Sequence, residues 1–457
     1  MGTRDWSWIL VTTLVALMLK EVLTSSCPTV CHCQPVDRVS RDKTRMFNDC
    51  SNRSLESLPE HYSHHALKLN ISFNRFSKLA ADFFGKGSHD LRSVFLNNNS
   101  ITAIAESTFR VLPSLWMLDL SGNKLETLEK YTFKNNTSLW SLILRGNNIK
   151  LPANTIFLEA PFLVRLDLSY NNLETLDDNT FLSMNKLKSL RLHNNRLNSL
   201  SKSWFRGLKN LHHLFLEDNN LHYLNPDTFV YTESLIELSL SRNNLMISSG
   251  QPFLRIHTLE RLYLNGCNLT FLPGMMFEMM TRLRYLFVSN NRLRTLDYGM
   301  LVYFEDLVYL NACDNLLSCD CDLKDTWQWC KYRNIKADVN CGVSGQILEM
   351  CAGSWNVVGD LVCNATTTTI TPITTTSTTK TSTESPPLSS PEAVSSESSN
   401  VGLFAGIGIA LLLVVLIALG IGYWHYSTRR SSHPRQDPHM TTRLVDMLPF
   451  HNEQDEY

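Results

Sequence analysis

Cysteine, histidine, glycosylatable asparagine and a run of outward-facing aromatics are the residue types in this 457-residue chain whose spacing could do chemistry. Cys27, Cys31, Cys33 and Cys50 cluster toward one end; Cys319, Cys321, Cys330, Cys341, Cys351 and Cys363 cluster toward the other, with Cys267 and Cys313 between. Closely spaced thiols either chelate zinc or oxidise to disulfides, and these spacings are not those of ordinary zinc modules. Disulfides are therefore expected and a metal is not. The chain has no Gly-rich phosphate loop, no Ser-nucleophile motif and no paired-histidine metal helix, so it reads as a non-enzyme with no cofactor. A net charge of -1 with no long basic run gives no case for nucleic-acid binding.

The compartment follows from two apolar segments. Residues 1–26 carry Arg4, an apolar run from Trp8 to Leu19 and small residues before Cys27, the pattern of a secretory signal peptide. Val401 to Trp424 has no charged side chain and is long enough as a helix to cross a hydrocarbon core of about 30 Å. Arg429, Arg430 and Arg435 follow it, which places residues 425–457 in the cytosol and predicts a single-pass type I protein of the cell membrane with its N-terminus outside. Every cysteine then lies on the oxidising side. Gly402, Gly406 and Ala410 would line one helix face, which leaves a homodimer or a co-receptor partner open. The Thr/Ser/Pro-rich stretch 364–400 cannot bury a core and predicts an O-glycosylated stalk.

The element that must position the remaining residues is a repeat. Asn74, Asn99, Asn123, Asn147, Asn171, Asn195, Asn219, Asn243, Cys267, Asn291 and Asn315 recur every 24 residues after a first interval of 25, so residues 66–318 hold eleven rungs. The pattern before each is L-x-x-L-x-L or an aliphatic variant of it, as at Leu115, Leu118 and Leu120, and the first nine are followed ten residues later by Phe, a column that Leu301 breaks. The period of two predicts a short strand with leucines inside, and stacking the rungs makes one parallel sheet over a continuous core. The Asn amide is expected to satisfy the turning backbone as a buried ladder. Cys267 then reads as a buried structural thiol rather than a nucleophile. Residues 27–65 and 319–363 read as the disulfide caps a solenoid core requires.

The repeat with both cysteine clusters resembles the extracellular leucine-rich-repeat family that includes Slit, the Nogo receptor, Toll-type ectodomains and the variable lymphocyte receptors. The resemblance implies an α/β solenoid, a horseshoe with a concave parallel β-sheet, and the pairs Cys27–Cys33, Cys31–Cys50, Cys319–Cys341 and Cys321–Cys363. Cys330 and Cys351 are additional to that set and are left to pair with each other; Cys313 is left over at an outward position.

Residues between the strand leucines face away from the core. One such column contains Phe215, Tyr263 and Phe287, and the column beside it contains Arg261, Tyr285 and Tyr309. Aromatics with Arg are the side chains that dominate protein-binding hot spots, so these six residues are the expected ligand site. His193 and His213 fall on neighbouring rungs; ordinary surface histidine and a pH-sensitive or metal contact are the two readings. Sequons stand at Asn52, Asn70, Asn98, Asn135, Asn136, Asn268 and Asn364. The function expected is a receptor or adhesion protein binding an extracellular protein ligand through the concave face, the alternative being an innate immune receptor for microbial surface molecules.

Overall fold

The computed structural model describes residues 27–347, except 37–44, 60–65, 86–87, 154, 297, 341 and 344–345. The expected signal peptide, stalk, membrane helix and tail lie outside the described residues, as do Cys341, Cys351, Cys363 and Asn364. Among the described residues no helix is long and apolar enough to cross a membrane.

Each rung contributes a three- to five-residue strand, from Ala66–Asn70 through Met117–Asp119 to Tyr309–Ala312, and these eleven strands pair in parallel in one 14-stranded sheet. The register is fixed by the repeat: Leu190 faces Leu214 and Leu262 faces Leu286 across the ladder, so leucines stack on leucines. A slip of one residue would send those leucines outward, which is why the spacing holds so strictly. Leu118, Leu142, Leu190, Leu214 and Leu262 are buried. On the far side of the core the phenylalanines stack from rung to rung, with Phe84 and Phe109 5.8 Å apart and Phe109 and Phe133 5.4 Å apart. Where Leu301 interrupts the column, Phe304 takes over, its ring 5.0 Å from that of Phe277.

The asparagine ladder is present and its geometry explains the residue type. Asn123 Nδ2 donates to the carbonyls of Leu96 at 3.0 Å and Leu120 at 2.9 Å, and its Oδ1 accepts from the Ile101 amide at 3.0 Å. One short side chain that both donates and accepts thereby satisfies backbone groups on adjacent rungs, which a buried turn otherwise leaves unmet. The residue before the ladder position takes a left-handed conformation on rung after rung, at Gly122, Gly146, Asn194, Asp218, Gly266 and Asn290 but also at Tyr170 and Arg242. Glycine, Asn and Asp tolerate that region; Tyr and Arg do so at a cost.

The caps add three strands to the sheet. His32–Pro35 and Met46–Asp49 form an antiparallel pair whose second strand joins Ala66–Asn70 in parallel. Cys27–Cys33 and Cys31–Cys50 are the bridges formed there. At the other end a helix, α1 (Cys321–Tyr332), is capped by Asp320, whose side chain accepts from the Leu323 amide at 3.0 Å, and the strand Lys336–Val339 extends the sheet beside Tyr309–Ala312.

Two cysteine assignments need correction. Cys330 is a free, buried thiol, so it does not pair with Cys351. It shares the inward face of α1 with Leu323 and Thr326, where helical spacing turns all three onto the end of the leucine core. Cys313, expected to be left over and outward, is buried and disulfide-bonded; Cys319 and Cys321, which are less buried, are disulfide-bonded too. The cysteines that remain to pair with these three lie outside the described residues.

Candidate binding face

The sheet places the two variable columns on its outward side at each rung. Parallel pairing sets Arg261 beside Tyr285 and Tyr285 beside Tyr309, with Tyr263 beside Phe287 and Phe287 beside Asn311. Neighbouring strands lie roughly 4.8 Å apart, close to ring-stacking distance, so aromatics at repeat spacing touch without any further device. Tyr263 and Phe287 stack with centroids 4.5 Å apart and planes 6° from parallel, and Phe287 meets Tyr309 at 5.4 Å. Cations border the rings: Arg261 and Arg284 lie 5.3 and 5.9 Å from the Tyr285 centroid, and Lys336 lies 5.3 Å from that of Tyr309. The five residues Arg261, Tyr263, Tyr285, Phe287 and Tyr309 form one patch, each half-buried by its neighbours rather than fully exposed.

The C-terminal cap completes that patch with a residue the sequence did not point to. Tyr309 Oη donates to Asp338 at 2.5 Å, and Asp338 sits opposite Asn311 in the added strand. Burial and then the Asp338 contact push the Tyr309 hydroxyl up to about 12. Tyr263 is raised further, first by burial and then by Glu237. Glu237 is opposed by its own burial, but the hydrogen bond and charge of His213, together with Arg261 and Tyr263, hold it below the usual carboxylate range. Its contact with His213 Nδ1 is 2.7 Å. The Tyr263 and Tyr309 hydroxyls are thereby directed at Glu237 and Asp338.

Phe215 does not belong to this patch. Ser239 separates it from Tyr263 in the column, and it packs instead under Arg191, whose guanidinium is 5.4 Å from its ring. The two histidines are also apart: His193 meets Tyr170 edge-on at 5.5 Å, whereas His213 holds Glu237. Among the described residues no group of three His, Cys, Asp or Glu could hold a metal ion.

The sequons divide by burial. Asn52, Asn98, Asn135 and Asn268 are exposed, and Asn70 is half-buried in the first-rung strand with Nδ2 on Asp49 at 3.0 Å. Asn136 differs from these: it is 3% exposed and its Nδ2 donates to the carbonyls of Phe109 and Leu112 at 2.9 and 2.8 Å. A glycan on that nitrogen has no room in this packing, and the sequon sits where a second kind of buried asparagine satisfies the far side of the rung. Cys267, at the ladder position, donates from Sγ to Leu240 O at 3.3 Å, and burial pushes its thiol up to about 11.

Comparison with known proteins agrees with this architecture. Over 119 residues the chain is 31% identical to amphoterin-induced protein 2 of Mus musculus, covering 26% of this chain and 20% of that protein. It is likewise 31% identical over 121 residues to leucine-rich repeat-containing protein 3 of Danio rerio, covering 26% of this chain and 43% of that protein. The match therefore spans less than half the length of either relative. A chain of the solved octameric complex of Latrophilin 3, Unc5D and FLRT2, in which FLRT2 is the leucine-rich-repeat component, superposes with a TM-score of 0.58 at 27% identity, covering 71% of this chain and 96% of that one. Residues 65–125, 89–149, 153–197, 185–245 and 257–317 match the leucine rich repeat family, together more than half of the sequence. With rungs, ladder and sheet all in that pattern, the chain belongs to the leucine-rich repeat family.

Proposed function

We propose that this chain is a cell-surface receptor or adhesion protein that binds an extracellular protein ligand through the concave face of its solenoid, without catalysing a reaction. The observation that carries this reading is the contiguous patch of Arg261, Tyr263, Tyr285, Phe287 and Tyr309, in which the rings of Tyr263, Phe287 and Tyr309 pack one against the next and the Tyr263 and Tyr309 hydroxyls are held by Glu237 and Asp338. Rings locked by their neighbours lose little conformational freedom on binding, and Tyr and Arg are the residues that dominate protein interfaces. The solved complex in which FLRT2 assembles with Latrophilin 3 and Unc5D supports a protein partner by similarity. In this reading residues 1–26 direct secretion, glycans on Asn52, Asn98 and Asn135 fall on the early part of the solenoid and leave the last strands open, the stalk 364–400 lifts the solenoid from the bilayer, and 401–424 anchors it as a type I membrane protein.

Cells expressing the full chain should capture members of a panel of soluble cell-surface protein ectodomains, and capture should be lost in Tyr285→Ala with Phe287→Ala. Capture of microbial particles in place of host-type proteins would replace this reading with immune recognition. Undiminished capture by a correctly displayed double variant would move the contact off this patch.

A further inference from the structure

Exposed apolar side chains are scattered over most of the solenoid. Leu182, Val230 and Val302 stand on rungs that are not neighbours, and Lys186 Nζ lies 4.6 Å from the ring centroid of Phe162. The seventh to ninth rungs differ. On the flank where the chain leaves the ladder and turns away from the sheet, Tyr223, Met246, Phe271 and Met275 are 53%, 69%, 47% and 44% exposed. Ile247 falls between Tyr223 and Phe271 in the same column of the repeat, half-buried against the core.

The repeat does not demand these residues. Where Met246 stands on the eighth rung, earlier rungs carry Glu126, Lys150 and Glu174; where Phe271 stands on the ninth, other rungs carry Thr127, Thr175 and Thr295. All of these are exposed, so neither the core nor the backbone bonding selects an apolar side chain there. A contiguous apolar patch of this kind is either covered in the working protein or drives association.

Asn268 stands where a cover would be rooted. It is exposed, and Asn268-Leu269-Thr270 is a sequon directly before Phe271. Its Nδ2 donates to Asn244 Oδ1 at 3.1 Å, which aims the amide at the eighth rung beside Met246. N-glycosylation joins the anomeric carbon of the first sugar to Nδ2, releasing one amide proton and the lipid pyrophosphate that carried the sugar. The second amide hydrogen stays, so the contact with Asn244 survives. A pyranose turns a face of C–H groups toward apolar side chains and its hydroxyls toward water, which suits a ring and two thioethers at a wet surface. The sequons at Asn52, Asn98 and Asn135 belong to the N-terminal cap and the second and third rungs.

We propose that a glycan on Asn268 is the cover of this flank, its first sugars packing on Met246, Phe271 and Met275 and keeping the seventh to ninth rungs from associating through that side. This rests on the reading of the solenoid as extracellular. With the flank covered, the apolar surface left open on the late rungs is the concave aromatic patch.

The test displays the full chain on cultured animal cells, reads sequon occupancy by glycopeptide mass spectrometry, and follows oxidation of Met246 by dilute hydrogen peroxide. Asn268 should be occupied. Asn268→Gln and Thr270→Ala, the second of which keeps the Asn268 side chain, should each raise the Met246 oxidation rate about threefold or more, because sulfoxide formation follows exposure. Asn98→Gln should leave that rate unchanged. At equal display Asn268→Gln should also increase chemically cross-linked oligomers, and Met246→Ser with Phe271→Ser in the same chain should abolish the increase. An unoccupied Asn268 beside occupied Asn98 and Asn135 overturns the proposal. So does protection of Met246 that survives both sequon variants, which would assign the flank to a second copy or another protein. If no sequon is occupied, the extracellular reading itself falls.

Discussion

The inward and outward columns of the concave sheet come from the same strands and repeat at the same 24-residue interval, yet they answer to different constraints. Inward, each rung supplies an aliphatic side chain, and every rung but that of Cys267 an amide that bridges its neighbours, so the columns read Leu and Asn with few departures such as Val94 and Cys267. Outward, the backbone hydrogen bonds are already made by the ladder, and the side chain is free to be Asp119, Ile143, Arg191, Phe215 or Tyr263 without disturbing a strand. The difference teaches that stability and recognition are separable here by parity along a strand. A change at one position should cost folding, and a change one residue away should cost binding.

The sharpest test of that separation is Asn171→Leu. Asn171 donates to Leu144, Leu168 and Ser169 carbonyls at 3.0–3.1 Å and accepts from the Ile149 amide at 3.0 Å. Leucine leaves several buried backbone groups without partners, so denaturant unfolding should show a loss of about 3 kcal/mol or more. An unchanged unfolding midpoint would remove the ladder as a source of stability.

Next in size is the outward counterpart, Tyr285→Ala with Phe287→Ala. Affinity for a protein recovered by the ectodomain panel should fall about thirtyfold, equivalent to roughly 2 kcal/mol, while the melting temperature moves by no more than a few degrees. Collapse of the fold in this variant would break the parity argument from the other side.

A smaller effect is expected at alkaline pH. Cys267 and Cys330 are pushed up to about 11 and about 12 by burial, Tyr309 to about 12, and Tyr263 is raised as well. All four bind protons more tightly folded than unfolded. Their stabilising protonation is intact below the unfolded thiol value of 9.0 and is lost as pH rises toward 11 and 12. Melting temperature should be flat just below pH 9 and decline above it, with a shallower decline in Cys267→Ala. A flat profile through pH 11 would contradict the burial of these groups.

The smallest prediction concerns the one rung where the ladder departs from asparagine. With Cys at 267 there is no Oδ1 for the Leu245 amide, which reaches the Cys267 carbonyl at 3.3 Å instead, whereas the Leu221 amide has Asn243 Oδ1 at 3.0 Å. Cys267→Asn should restore that acceptor and raise stability by about 1 kcal/mol, read by chemical unfolding. A loss of stability would mean that the local packing is built for sulfur.

How much of this was legible in the sequence depends on whether a feature is local and periodic. The eleven rungs, the leucine core, the phenylalanine column and the asparagine ladder were readable because identical units stacked in register must repeat their chemistry, and a 24-residue period cannot hide. For the same reason Arg261, Tyr263, Tyr285, Phe287 and Tyr309 could be assigned to one face before any coordinates. Contacts that join one rung to a cap or one column to another were not readable. The bonding of Cys313, the inward turn of Cys330 on α1, the Asp338 contact to Tyr309, the burial of Asn136 and the grouping of Phe215 with Arg191 all depend on neighbours that no fixed spacing announces. Sequence determined the rung because each rung solves the same local problem of hydrogen bonds and apolar burial; tertiary structure decided the ends and the pairing of outward side chains, because there the partners are set by three-dimensional proximity alone.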